Sequence, residues 1–196
     1  MTKEELDTLR FPIGEHTYGG TYSADENEQN ITRIEALPAR LRERVSTLSE
    51  EQLRTQYRPD GWTVRQVVHH LVDSHINSYV RFKLALTEAN PTIRPYEEAL
   101  WAELPDGKEF DIEVSLTLLE ALHRRWVAML RKMKPEDFRR TFYHPEHDRN
   151  IPLDDALASY AWHGDHHSDH RREDDDHRYR HGKKRKSFLS DVFDFD

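Results

Sequence analysis

The chain has 196 residues, no cysteine and 34% charged side chains, with 37 acidic against 29 basic residues and a net charge of −8. This length suffices for one domain with a hydrophobic core, and the lack of cysteine excludes disulfides, thiolate metal sites and a cysteine nucleophile. The acidic balance argues against nucleic-acid binding, which requires neutralised phosphates. We find neither an apolar run that could span a bilayer nor an apolar signal-peptide core, so we expect a cytoplasmic protein with no membrane partner.

The first thirty residues are polar and rich in glycine, and we expect residues 1–30 to form an extended arm anchored by residues 11–13. From Ile31 to Leu48, apolar residues recur at steps of three and four, a spacing that predicts one face of a helix. Proline lacks a backbone N–H, so we expect a kink or a late helix start at Pro38.

A second helix is predicted from Val64 to about Ala89, because Thr63 can cap it with Gln66 as its capping-box partner. Pro91 stops this helix. Its inner face consists of apolar and small residues, namely Val64, Val67, Leu71, Ser74, Ser78 and Phe82.

The rest of the chain adds a long link, two more helices and a tail. Residues 90–110 form the link, which we expect Trp101 to pin, and residues 114–133 form the third helix. The fourth helix starts near Pro152, and no segment shows a strand pattern. We therefore predict an all-α fold, a four-helix bundle with a long crossover link. Its parts are an arm (1–30), a metal-binding bundle (31–170) and a charged tail (171–196).

Histidine is the unusual residue of this sequence, since thirteen are present and six lie between His163 and His181. His163 and His167 stand four residues apart, so they project from one face of a helix and can bind one metal ion. Tyr160 and Gly164 flank the pair, which suggests that it points into the bundle. The alternative is adventitious binding by a histidine-rich surface tract.

A third ligand should come from a facing helix, where His69 and His70 are the candidates. Neighbouring residues differ by about 100° around a helix axis, so we expect only one of them to face inward. The neighbours of His70 favour it, but this argument alone leaves His69 open. Three histidines leave one coordination position for water or substrate, as in catalytic zinc sites. Asp73, one turn after His70, could orient a ligand or accept a proton, unless it is simply an exposed carboxylate.

Several separated motifs closely resemble the YfiT-type branch of the DinB-like superfamily, and they occur in the order typical of that branch. They are residues 57–71, 73–75, 78–84, 93–96, 142–146 and 160–163 followed by His166 and His167. The resemblance implies a four-helix bundle, a homodimer, and a zinc or nickel ion on three histidines. It assigns the ligands to His70, His163 and His167, and so selects His70 over His69. The chain departs from the family pattern over residues 168–176, where charged residues replace apolar ones.

The resemblance also implies the activity, a metal-dependent hydrolase that uses metal-activated water on a small-molecule substrate. Related proteins are thiol S-transferases, including bacillithiol transferases, so a low-molecular-weight thiol cosubstrate is the main alternative. Arg81, Lys83 and Arg94 are candidates for holding its carboxylates. A bundle that only binds metal is the third alternative. We expect His144 and His147 to be polar loop residues, with a position at the rim of the site as the alternative.

Overall fold

The computed structural model describes residues 16–17, 19–56 and 61–166, and the statements below concern these residues. They form seven helices, one short 3-10 turn and two strands. In chain order these are α1 (Ala24–Val45), α2 (Glu50–Leu53), α3 (Val64–Thr87), α4 (Glu98–Ala102), α5 (Pro105–Glu109), α6 (Ile112–Leu130), the turn Asp137–Arg139, β1 (Thr141–His144), β2 (Arg149–Pro152) and α7 (Leu153–His166).

Four long helices, α1, α3, α6 and α7, form the bundle, and the predicted fold class is confirmed. Helix α1 packs along both α6 and α7, and α6 also packs along α3. Helices α3 and α7 approach each other much less closely. The two helices predicted to carry the metal ligands are therefore diagonal neighbours, and side chains can fill the space between them.

Helix α1 begins earlier than predicted, at Ala24, so the expected extended arm is wrong for residues 24–30. Ser23 caps the helix: its hydroxyl accepts the Glu26 amide N–H, and the Glu26 carboxylate accepts the Ser23 N–H at 2.8 Å. This capping box starts the helix before its apolar face begins. Pro38 neither delays nor ends the helix, which continues through this buried residue. The anchor predicted at residues 11–13 lies outside the described residues.

The second predicted helix is confirmed, with Thr63 and Gln66 forming the expected capping box. The third predicted helix corresponds to α6. The apolar residues at its start were expected to face the core with Trp126 and Leu130, but Val114 and Leu118 are 52% and 46% exposed. Helix α6 instead buries a neighbouring face of Ile112, Leu116, Leu119, His123, Trp126, Val127 and Leu130. The link carries two short helices, α4 and α5. Trp101 is 41% exposed, and its ring lies 4.6 Å from that of Tyr96.

A two-stranded hairpin was not predicted and corrects the expectation of no strands. Strands β1 and β2 pair antiparallel, with Phe142 opposite Ile151, and both side chains are buried in the core. The link joins this hairpin, since the Ile93 amide donates to the Tyr143 carbonyl at 3.0 Å. Strands of four residues are too short for a clear alternating pattern. The hairpin and the link thus close one side of the bundle.

The buried apolar side chains form two clusters. One joins the first half of α3 to the start of α6 and includes Val67, Leu71 and Leu119. The other joins the end of α3 to α7 and includes Phe82 and Trp126. Buried polar side chains separate the two clusters along the helices, namely Ser74, His75 and Ser78 on α3 and His123 on α6. The core therefore contains a polar layer rich in imidazole. No helix in the described ranges is both long and apolar enough to cross a membrane.

Candidate metal centre

The start of α3 fixes the approach to the candidate site. The Gln66 side chain accepts the Thr63 backbone N–H at 2.9 Å and donates to the Ala102 carbonyl at 2.9 Å. One residue thus completes the helix cap and ties α4 of the link to α3, one turn before His70. The sequence predicted the cap, whereas the contact with the link depends on the tertiary fold.

Both His69 and His70 are buried, so the expectation that only one of them faces inward is wrong. Helix α3 is covered on two sides here, by α6 and by the link. His69 uses both ring nitrogens, Nδ1 with the Ser115 hydroxyl at 2.7 Å and Nε2 with the Phe110 carbonyl at 3.2 Å. The His70 ring packs 4.7 Å from the half-buried ring of Trp62. His69 therefore has a structural role, and His70 is the better candidate ligand.

His75 and His123 form a buried pair that the sequence analysis did not identify as part of the site. His75 Nδ1 lies 2.8 Å from His123 Nε2, and His123 Nδ1 donates to the Ile34 carbonyl at 2.7 Å. The rings of Trp126 and Tyr160 meet the His75 ring edge-on. A histidine three residues before a tryptophan on an apolar helix face was the available sequence signal for His123.

His163 on α7 is half-buried, and its ring centroid lies 5.9 Å from that of His75 and 6.1 Å from that of Tyr160. The side chains of residues 164–166 and the whole of His167 lie outside the described residues. Among the residues that are described, no three histidine, aspartate or glutamate side chains are placed to hold a metal ion. The ligand set His70, His163 and His167 therefore stays a prediction.

Burial keeps the imidazoles of this layer neutral. It lowers the pKa of His70 and of His123 to about 4. Burial also lowers the pKa of His75 well below its usual value, and its neighbours His123, His163 and His70 add to this effect. A neutral imidazole is the form that binds a metal ion, so these rings need no deprotonation before they bind.

Asp73 is half-buried and not the fully exposed carboxylate of the alternative interpretation. Burial, with a smaller contribution from Asp106, raises its pKa to about 6. Tyr96 of the link lies beside Ser74, and its hydroxyl pKa is raised by burial and by Glu98. The link thus covers the turn of α3 that follows His70.

Of the three basic residues suggested for a cosubstrate, Arg81 is the one beside polar groups of this region. The positive charge of Arg81 lowers the pKa of both Glu98 and His144. Lys83 is exposed and lies 5.4 Å from the Tyr79 ring centroid, and Arg94 is also exposed.

The hairpin histidines differ from each other. His144 is buried in β1 and is therefore not a loop residue, whereas His147 in the turn is exposed. Their rings lie 4.3 Å apart. Burial, with smaller effects of His147, Arg81 and Arg149, lowers the pKa of His144 to about 4.

Comparison with known proteins places this arrangement in a family. The sequence profile of the DinB superfamily matches residues 33–169. The chain belongs to the DinB superfamily. A protein of Bacillus mycoides (strain KBAB4), provisionally named a metal-dependent hydrolase, is 53% identical over 165 residues, which cover 84% of this chain and 94% of the relative. A Bacillus cereus (strain 03BB102) protein with the same provisional name is 52% identical over the same shares.

A solved structure is similar as well. YfiT from Bacillus subtilis has 49% sequence identity and a TM-score of 0.79, covering 81% of this chain and 91% of that one. It is described as having an unusual four-helix bundle topology and, provisionally, as a metal-dependent hydrolase. This chain is thus a YfiT-type DinB protein, and its relatives support a divalent metal as its cofactor.

The buried imidazoles make the stability of the metal-free protein sensitive to acid. His70 and His123 have a pKa of about 4 in the folded chain against 6.5 when exposed, so only the unfolded chain binds these protons between the two values. Stability is therefore complete above about pH 6.5 and falls toward pH 4, by up to roughly 3 kcal/mol per ring. Asp73, whose folded pKa is raised to about 6, has the opposite effect and offsets part of the loss from the two rings.

Urea unfolding of the protein in chelator, at pH steps from 7.5 to 4.5, measures this loss. The His70→Leu variant, which removes one of the buried imidazoles, should show a shallower decline. A free energy of unfolding that stays constant from pH 7 to pH 5 would contradict the buried neutral histidines.

Proposed function

We propose that this protein is a metal-dependent hydrolase that binds one divalent ion, zinc or nickel, through His70, His163 and His167. The observation that carries the proposal is the neutral, buried imidazole of His70 on α3, with His163 on the diagonal helix α7. The diagonal arrangement leaves α3 and α7 apart, so side chains of both can reach a common point. The provisional names of the relatives support the same activity.

The residues present fit such an ion. Imidazole nitrogen suits zinc and nickel, and the cysteine ligands of structural zinc sites are absent from the chain. Three histidines leave a coordination position for water or substrate. An ion held in this way supplies Lewis acidity and lowers the pKa of water to about 7.

Asp73 is the residue of this chain best suited to handle the proton. With a pKa of about 6, its carboxylate is mostly ionised at pH 7 and can still be protonated during turnover. It lies one helical turn from His70, on the side of α3 that the link covers. Asp73 would accept the proton of the attacking water at a carboxylate oxygen and return it to the leaving group. Trp62 and Tyr96 would restrict bulk water at this place.

The position of Arg81 favours one second candidate, a thiol S-transferase. Arg81 is half-buried beside Glu98 and His144, near the covered turn of α3. A guanidinium at such a place could bind a carboxylate of a small thiol cosubstrate. In that reaction the thiolate, not water, would attack the electrophile.

We also propose that the protein works in the cytoplasm as a homodimer. Phe110 at the end of the link and Val114 and Leu118 on α6 are 53%, 52% and 46% exposed, at intervals of four residues. Such a row of exposed apolar side chains is typical of a protein interface.

The dimer can be tested by sedimentation velocity. Leu118→Glu should convert a dimer to a monomer, because it places a charge in the apolar row. Ala128→Glu, on an exposed position ten residues further along α6, should leave the dimer intact. A monomeric wild-type protein would contradict the proposed homodimer.

The metal site can be tested by metal content. Purified, untagged protein should retain about one zinc or nickel per chain after dialysis, measured by plasma mass spectrometry. His163→Ala and His70→Ala should each lose the ion, while His147→Ala, at an exposed position of the hairpin, should keep it. Circular dichroism checks that each variant is folded. A folded His163→Ala variant with full metal content would disprove the site.

The reaction can be tested with activated esters and amides, with and without a low-molecular-weight thiol. Asp73→Asn should keep the ion but lower kcat by roughly 10²- to 10⁴-fold, the usual contribution of a general base. Asp106→Asn removes a charge that raises the Asp73 pKa, so it should move the acidic limb of the pH profile to lower pH. Turnover that requires a thiol would replace the hydrolase by the transferase.

A further inference from the structure

A buried imidazole that the proposed mechanism leaves unused lies between α3, α6 and α7. His75 is completely buried, and its Nε2 has no hydrogen-bond partner, although its Nδ1 is bonded to His123. A buried polar atom without a partner is costly in a native protein, so it calls for an explanation.

The hydrogen bonds determine which nitrogen of each ring carries the proton. The Ile34 carbonyl can only accept, so His123 donates to it from Nδ1. In the neutral His123 ring, Nε2 is then an acceptor, and His75 must donate to it from Nδ1. The remaining nitrogen of His75, Nε2, therefore carries a lone pair. The lowered pKa of both rings agrees with this neutral arrangement.

The next ring beyond His75 is that of His163. The centroids of His75 and His163 are 5.9 Å apart, about 1 Å more than the 4.9 Å of the hydrogen-bonded pair His75 and His123. A shift of this size by His163 would bring the two rings into hydrogen-bond range. Histidines that bind a metal through one nitrogen almost always donate a hydrogen bond from the other, which fixes their orientation.

We propose that His75 is a positioning residue of the metal centre, whose unprotonated Nε2 accepts the ring N–H of His163 and so directs the other nitrogen of His163 toward the ion. The hydrogen bonds from His75 to His123 and from His123 to the Ile34 carbonyl form a relay. This relay leaves Nε2 of His75 unprotonated before any ion is present. The inference rests on the proposed function, because His163 is a ligand only in that proposal.

The relay makes a prediction for the metal-free protein that needs no activity. Long-range proton–nitrogen correlation spectra of protein labelled with ¹⁵N-histidine distinguish the two neutral tautomers from the imidazolium. At pH 7.5, His75 and His123 should both carry their proton on Nδ1. A proton on His75 Nε2 would overturn the proposal, because that nitrogen could then not accept the N–H of His163.

Metal affinity tests the positioning role. In chelator competition with zinc, His75→Leu should bind one ion per chain but about 10- to 100-fold more weakly, the usual effect of removing such a partner. His75→Gln should recover most of the affinity, because an amide can donate to His123 and accept from His163. Phe82→Leu is the matched control, since it disturbs a fully buried residue on the same helix without touching the relay.

The possible failures can be told apart. Equal affinity in the wild type and in folded His75→Leu would overturn the inference alone, provided that His163→Ala still loses the ion. Complete loss of the ion in both His75 variants, with each variant folded by circular dichroism, would make His75 a direct ligand and overturn the positioning role. A wild-type protein that binds no metal would remove both this inference and the proposed function.

Discussion

The arrangement of this bundle depends on burying imidazole between two apolar clusters. A buried ring nitrogen without a partner costs about 1 to 3 kcal/mol, so each ring constrains the backbone around it. His69 holds α3 to the link and to α6, through the Phe110 carbonyl and the Ser115 hydroxyl. His123 holds α6 to α1 through the Ile34 carbonyl, and His75 extends this connection to α3. These hydrogen bonds join three of the four long helices at the level where the candidate site lies.

The topology leaves room for the candidate site between α3 and α7. Because α1 packs on both α6 and α7, and α6 also on α3, the closest helix contacts leave out the pair α3 and α7. The hairpin and the link cover the space that remains, through the pairing of Ile93 with Tyr143 and of Gln66 with Ala102. A long crossover link therefore borders the candidate site and is not only a connection. It also places Tyr96 beside the turn of α3 that carries Asp73.

Local sequence signals predicted the elements better than the contacts between them. The cap at Thr63 and Gln66 and the inner face of α3 could be predicted, because both depend on residues within one helix. The Ser23 and Glu26 cap is also local, but it was not predicted, because the polar residues around it show no apolar helical face. The paired roles of His69, His75 and His123 could not be predicted, since each ring finds its partner on another element. The hairpin was missed because its strands have only four residues each.

In the proposed site, the relay and the carboxyl group of Asp73 have different roles. A relay that ended on a carboxylate would raise the basicity of His75 and favour an imidazolium. This one ends on the neutral Ile34 carbonyl, and the pKa of His123 stays near 4 in spite of that hydrogen bond. His75 and His123 can therefore orient a neighbour, but they do not gain a proton near pH 7. Asp73, with a pKa of about 6, can gain and lose one in this range. In the proposed site, orientation thus falls to the buried imidazoles and proton transfer to the half-buried carboxyl group of Asp73.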